Sequence, residues 1–130
     1  MQTAIRCLLI DDDPDDHEIF SMAITQAFPA AICFFAQNCL EAKRFLETGE
    51  VPAPDYLFMD WNLTQFTAGT CIQELNHLRA LQYTSIVILS GSDPLLGEEE
   101  LRLLGIKKVM KKQGSIDQMA NDISAFIAAR

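Results

Sequence analysis

The chain has 130 residues and a formal net charge of −8, and 49% of its residues are hydrophobic. This length suits one compact domain over residues 1–130, with no second domain of ordinary size. The acidic balance excludes a nucleic-acid-binding surface, because phosphate backbones need cationic partners. No segment is apolar over the length of a bilayer span, so we expect no membrane partner.

The four cysteines lie mostly in apolar segments, without a CxxC or Cys/His pattern. They are Cys7, Cys33, Cys39 and Cys71. We therefore expect buried thiols in a reducing cytoplasm, with neither a zinc site nor a disulfide. The sequence also lacks the pattern of a secretory signal peptide, which favours the same cytoplasmic location.

Short apolar runs alternate along the chain with segments of helical period. The first run, Ile5 to Ile10, is followed by Asp13 and Pro14, a favoured N-cap and first helical residue. Apolar residues then recur on one helical face as far as Pro29. This stretch predicts a strand followed by an amphipathic helix.

The second run, Ala31 to Ala36, leads to Asn38 and Glu41, which have the spacing of a capping box. The helix predicted after it carries Leu40, Phe45 and Leu46. The third run is Tyr56 to Met59, and it ends in Asp60. A third helix is marked by Cys71, Ile72, Leu75 and Leu78.

The fourth run, Ser85 to Leu89, ends at Ser90, and Asp93 with Pro94 is a further helix-cap signal. The helix carrying Leu101 and Leu104 stops at Gly105. A short fifth run around Val109 and Met110 ends at Lys111 and Lys112. The last helix has the clearest amphipathic spacing, with Ile116, Met119, Ala120, Ile123, Phe126 and Ile127 on one face.

Five strands alternating with five helices predict an α/β fold, in which a parallel sheet is covered on both faces. In such open sheets, ligands bind beyond the carboxyl ends of the strands. The residues at those ends are Asp11, Asp12, Asp60, Ser90 and Lys112. Converging carboxylates repel one another unless a cation neutralises them, and Mg²⁺ favours such oxygen ligands. A carboxylate can also attack phosphorus and form an acyl phosphate, while a lysine and a hydroxyl group stabilise the phosphoryl oxygens.

The segments LLIDDDP, PDYLFMDWN, IVILSGS and GIKKVMKK resemble the receiver domains of two-component response regulators, and the resemblance covers essentially the whole chain. It implies a flavodoxin-like (βα)5 fold with strand order 2-1-3-4-5. It also implies a stand-alone receiver domain over residues 1–130, without an output domain.

The same resemblance implies a role for each residue at the site. Asp60 is then the phosphoacceptor, Asp12 a direct Mg²⁺ ligand and Asp11 an acid acting largely through water. The backbone carbonyl of Asn62 completes the metal site, Ser90 is the hydroxyl switch residue, with Gly91 the small residue after it, and Lys112 pairs with the phosphate. The phosphoryl donor is a histidine kinase or a histidine phosphotransfer protein, and the output is altered contact with a protein target. The chain is then a self-phosphorylating acceptor and not a turnover enzyme, and we expect a monomer or weak dimer.

The sequence departs from the family pattern at three places. Thr64 stands where proline is usual, and Gly69 comes one residue late, so the loop from Trp61 to Ala68 is one residue longer. Gln113 replaces the proline after the lysine, which favours a trans bond there. Val109 takes the position of the aromatic switch residue, so signalling through a rotating ring is unavailable.

Two other functions compete with phosphorylation. One is a receiver-like interaction module that works without phosphate, which the substitutions at Val109 and Gln113 favour. The other is a small Mg²⁺-dependent phosphohydrolase, but Asn62 stands where such enzymes carry a second aspartate. Asp15 and Asp16 are interpreted as early-helix acids that would deepen the negative potential around the pocket. The remaining charged and histidine residues are interpreted as groups without a chemical role: His17, His77, Glu98, Glu99, Glu100, Lys107, Lys108 and Lys111.

Overall fold

The computed structural model describes residues 4–62, 68–91, 97–112 and 114–128. Within these ranges the strands are β1 (Arg6–Ile10), β2 (Ile32–Ala36), β3 (Tyr56–Asp60), β4 (Ser85–Ser90) and β5 (Ile106–Lys111). The α-helices are α1 (Pro14–Ala27), α2 (Cys39–Thr48), α3 (Ala68–Leu75), α4 (Glu98–Leu104) and α5 (Ile116–Ala128), and a 3₁₀ turn covers Arg79–Leu81. Every predicted strand and helix is present. None of the described helices has both the length and the apolar character needed to cross a membrane.

The five strands form one parallel sheet in the order β2-β1-β3-β4-β5. This confirms the predicted α/β class and the flavodoxin-like strand order. The helix that follows β1 packs on one face of the sheet, and the helix that follows β3 packs on the other. A crevice therefore opens between the carboxyl ends of β1 and β3, where open α/β sheets bind their ligands.

The central strand β3 is buried along its whole length. Successive side chains of a strand point to opposite faces, and in β3 they enter two separate core layers. Leu57 and Met59 pack with α2, α3 and α4, while Tyr56 and Phe58 pack with α1 and α5. A strand buried on both faces holds its last residue, Asp60, in a fixed position at the edge of the crevice.

The predicted caps start the first two helices. The Asp13 carboxylate accepts from the backbone N–H of Asp15 at 2.9 Å. The Asn38 side chain accepts from the N–H of Glu41 at 2.8 Å, and the Glu41 carboxylate accepts from the N–H of Gln37 at 3.0 Å. These bonds satisfy N–H groups that have no partner within the helix.

Glycines in the left-handed region end α2 and α4. Gly49 has φ of 81° and Gly105 has φ of 74°, values that only glycine adopts without strain. The stop at Gly105 is confirmed. The N-cap of α4 is Gly97, and the cap signal at Asp93 and Pro94 lies outside the described residues.

The prediction that all four cysteines are free thiols is wrong for two of them. Cys39 and Cys71 form a disulfide between α2 and α3, with their Cα atoms 5.7 Å apart. Both residues are buried in the same core layer, which brings their sulfurs together although 32 positions separate them in sequence. Cys7 and Cys33 are free thiols, as predicted, but only Cys7 is buried and Cys33 is partly exposed.

Two apolar residues that were used to predict helices do not lie on the buried face of those helices. Leu40 is 60% exposed, because α2 buries Cys39, Ala42 and Leu46 on its inner face and Leu40 falls off that face. Leu78 lies beyond the end of α3 and packs against the core from the following turn.

Candidate functional site

The predicted site residues lie at the carboxyl ends of four parallel strands. Asp11 and Asp12 follow β1, Asp60 ends β3, Ser90 ends β4 and Lys112 follows β5. Each of Asp11, Asp12 and Asp60 contributes one carboxylate oxygen to a group of three, and these three oxygens lie within 4.8 Å of one another. The structure therefore brings the three acids together in the crevice between β1 and β3.

The Lys112 ammonium group lies among these acids. Its Nζ is 3.2 Å from Asp11 Oδ2, 3.2 Å from Asp60 Oδ1 and 2.6 Å from Asp16 Oδ2. The backbone N–H of Lys112 donates to the Ser90 carbonyl at 2.7 Å, which continues the pairing of β4 with β5 and fixes the start of the side chain. Lys112 is thus the internal counter-ion of the acidic pocket.

Asp60 is held by both its strand and the residues after it. The N–H of Trp61 donates to the Leu89 carbonyl at 2.8 Å, and the N–H of Asn62 donates to Asp60 Oδ1 at 3.2 Å. Ser90 is buried, with 1% of its surface exposed. The geometry places Asn62 and Ser90 beside Asp60, and the roles of all three residues remain predictions.

Burial and charge act in opposite directions on the ionisable groups of the pocket. Burial raises the pKa of Asp11 to about 6, although the N–H of Asp13 and the Lys112 charge oppose that rise. Burial alone would lower the pKa of Lys112, but the hydrogen bond that it donates to Asp16 and the charges of Asp11 and Asp60 raise it above its ordinary value. Lys112 therefore stays cationic. The negative charge of Asp11 is destabilised by burial.

The acids provide the donor set that a divalent cation requires. Mg²⁺ binds oxygen atoms at about 2.0–2.1 Å, so opposed ligand oxygens lie roughly 4 Å apart. The cluster of Asp11, Asp12 and Asp60 is close to that size. Asp12 is the most accessible of the three. These residues fit a divalent metal ion.

Asp16 belongs to the pocket as well, which the sequence analysis missed. It was interpreted as an ordinary early-helix acid, yet it makes the shortest of the measured contacts with Lys112. Burial would raise the pKa of Asp16, but its hydrogen bonds with Lys112 and Asp11 lower it below the usual range. Its place in the first turn of α1 was predictable from the sequence, but its contact with Lys112 was not.

Comparison with known structures identifies the fold. The structure of the phosphorylated cyanobacterial phytochrome response regulator RcpA is similar with a TM-score of 0.79 and 16% identity, covering 95% of this chain and 91% of that chain. The Mn²⁺-bound form of response regulator Rcp1 gives 0.76 and 16% identity, covering 95% and 92%. Chemotaxis response regulator CheY4 of Vibrio cholerae gives 0.76 and 16%, covering 95% and 98%. This chain has the receiver fold.

No protein-family model matches the sequence, and no curated protein is similar enough to count as a relative. The likeness is therefore one of receiver architecture, with about one residue in six identical.

The predicted departures from the receiver pattern fall partly outside the described residues. Thr64 and Gln113 lie there, so the predictions for the loop after Asp60 and for the bond after Lys112 are untested. Val109 is on β5 and is partly buried against the core layer of α2, α3 and α4. An aliphatic side chain therefore occupies that position of the receiver fold.

Proposed function

We propose that this chain is a receiver that accepts a phosphoryl group on Asp60 in a Mg²⁺-dependent reaction. The donor is the phosphohistidine of a histidine kinase or of a histidine phosphotransfer protein. The observation that carries the proposal is the contact of Lys112 Nζ with Asp60 Oδ1 at 3.2 Å, inside a pocket shared with Asp11 and Asp12.

The pocket offers each group that the transfer requires. A carboxylate oxygen of Asp60 forms a bond to phosphorus while the phosphorus–nitrogen bond to the donor imidazole breaks. The Lys112 ammonium offsets negative charge on the phosphoryl oxygens, and the Ser90 hydroxyl is the proposed hydrogen-bond donor to one of them. Asp11, Asp12, Asp60 and the carbonyl of Asn62 would hold Mg²⁺, which supplies further charge neutralisation when bound.

Two of the similar structures are described with a phosphoryl group or with a divalent metal ion, and both support this chemistry. RcpA is described in a phosphorylated form, and Rcp1 is described in a Mn²⁺-bound form. Both properties belong to those proteins. They favour an aspartyl phosphate and a divalent cation in a pocket that has the same architecture here.

The proposed protein is a self-phosphorylating acceptor that signals through changed protein–protein contact, as a monomer or weak dimer. A histidine kinase donor favours the cytoplasm. Disulfides are rare in the cytoplasm because thiols there are kept reduced. Burial slows exchange with those thiols by limiting access, and Cys39 and Cys71 are 4% and 0% exposed.

Intact-mass measurement tests the proposal directly. Incubation of the purified protein with Mg²⁺ and acetyl phosphate should add the mass of one phosphoryl group, and omission of Mg²⁺ should prevent the gain. Asp60→Asn removes the nucleophilic carboxylate and should gain nothing. Asp15→Asn makes the same charge change at an exposed site outside the pocket, so it should be phosphorylated normally.

A folded wild-type protein that gains no mass would contradict the proposal. The result would then favour a receiver-like module that binds its partner without phosphate. A gain of the same size in Asp60→Asn would instead place the acceptor at another residue.

A further inference from the structure

Three carboxylates contact the Lys112 ammonium, and the closest of them is not part of the proposed acceptor and metal site. Asp16 Oδ2 lies 2.6 Å from Nζ, against 3.2 Å for Asp11 and 3.2 Å for Asp60. An ammonium group has three N–H donors. Nζ of Lys112 donates hydrogen bonds to Asp11 and Asp16, and its contact with Asp60 is an ion pair.

Asp16 is fixed in place by the start of α1. Its backbone N–H donates to the Asp13 carbonyl at 3.1 Å, within the capped first turn of the helix. The next residue, His17, donates from Nε2 to the Asp11 carbonyl and stacks on Phe35 with ring centroids 5.1 Å apart. These contacts attach the turn to the carboxyl end of β1, and they hold the Asp16 side chain next to Lys112.

Phosphorylation of Asp60 would add a dianionic group that needs the same ammonium. Lys112 can move onto a phosphoryl oxygen only by lengthening its hydrogen bonds to Asp11 and Asp16, which hold Nζ in its present place. The short contact with Asp16 competes most strongly, because charge-assisted hydrogen bonds strengthen as they shorten.

We infer that Asp16 is a positioning residue that competes with the phosphoryl group on Asp60 for Lys112, and so limits how favourable the phosphorylated state is. This inference rests on the proposed function. It assigns Asp16 no contact with the phosphoryl group; the residue acts only through Lys112.

The affinity for beryllofluoride, a mimic of the phosphoryl group, tests this inference at saturating Mg²⁺. Trp61 is the single tryptophan and follows Asp60 directly, so its fluorescence reports binding. Asp16→Asn should bind beryllofluoride about twofold to fivefold more tightly than wild type, since partly exposed ion pairs shift equilibria by roughly this factor. A tighter affinity cannot arise from damage to the fold.

Two further variants make the comparison specific. Asp15→Asn removes one negative charge from the same helical turn at an exposed position and should bind beryllofluoride as wild type does. Asp16→Glu keeps a carboxylate and should also stay close to wild type. Equal tightening in Asp15→Asn and Asp16→Asn would overturn the inference, because the effect would then be one of overall charge.

An unchanged or weaker affinity in Asp16→Asn would overturn it too, as would full tightening in Asp16→Glu. Failure of the proposed function has a different signature. In that case wild type itself binds no beryllofluoride with Mg²⁺, and the proposed function and this inference are overturned together.

Discussion

Asp11 combines full burial with charge. Its side chain is 1% exposed, and burial raises its pKa to about 6 from an ordinary value of 3.8. The unfolded chain therefore ionises at lower pH than the folded chain. The charged form is penalised in the folded state at pH above about 6, and the penalty disappears below 3.8, where both states are protonated.

Asp11→Asn should therefore stabilise the metal-free protein. Asparagine keeps a side-chain oxygen that can accept from the N–H of Asp13, as Asp11 does at 3.0 Å, but it carries no charge. We expect the free energy of unfolding to rise by about 1–3 kcal/mol at pH well above 6. Urea unfolding of both proteins in a chelating buffer measures this difference, which should shrink as the pH falls towards 3.8. A less stable variant at neutral pH would contradict it.

The strand-end residues were predictable because a parallel sheet places all its carboxyl ends along one edge, whatever the loops between them do. Asp11, Asp60 and Lys112 could therefore be assigned to one pocket from the sequence. Asp16 could not, because its contact depends on how far the first turn of α1 leans over the end of β1. That distance is set by the packing of α1 on the sheet, and no sequence pattern predicts it.

The helices α2 and α3 are joined by more than the core they share. The disulfide between Cys39 and Cys71 crosses from one to the other, and Lys43 forms an exposed ion pair with Glu74 at 3.5 Å. Exposed pairs contribute little, so the disulfide is the main link. It closes a segment that contains β3 and Asp60.

Removal of this disulfide should destabilise the protein. A cross-link between residues 32 positions apart lowers the conformational entropy of the unfolded chain. In the chain-entropy account this stabilises the folded protein by about 3–4 kcal/mol. Cys39→Ala with Cys71→Ala should lose roughly that free energy of unfolding, and reductant should destabilise wild type but leave the double variant unaffected. Thiol counting under denaturing, non-reducing conditions checks the premise: two free thiols are expected, and four would contradict it.

The caps and strand boundaries were predicted because each depends on residues close together in sequence, such as Asn38 with Glu41. The disulfide was missed because nothing local marks Cys71 as the partner of Cys39. Their pairing follows from two helices packing side by side on one face of the sheet. Leu40 was misplaced for a related reason, since the rotation of α2 about its axis is set by what it packs against.

The whole molecule is acidic, with a net charge of −8, and the pocket concentrates that charge. The Lys112 ammonium group contacts the carboxylates of Asp11, Asp16 and Asp60, and the Asp12 carboxylate lies in the same cluster. When all of them are ionised, four negative charges oppose one positive charge, and three negative charges remain unbalanced. A cation should bind there in the folded protein and not in the unfolded chain, because unfolding separates these acids. Binding should therefore stabilise the entire domain.

Mg²⁺ should raise the midpoint of thermal unfolding. At a concentration about 100 times the dissociation constant, a ligand of the folded state adds about 2.7 kcal/mol, which corresponds to roughly 10 °C for a domain of this size. Calorimetry with and without Mg²⁺, at matched ionic strength, measures the shift. Asp12→Asn removes an accessible acid of the cluster and should lose most of the rise, while Asp15→Asn changes the net charge equally and should keep it. An equal rise in all three proteins would mean that Mg²⁺ acts on the general negative charge, and the metal site at the ends of β1 and β3 would be wrong.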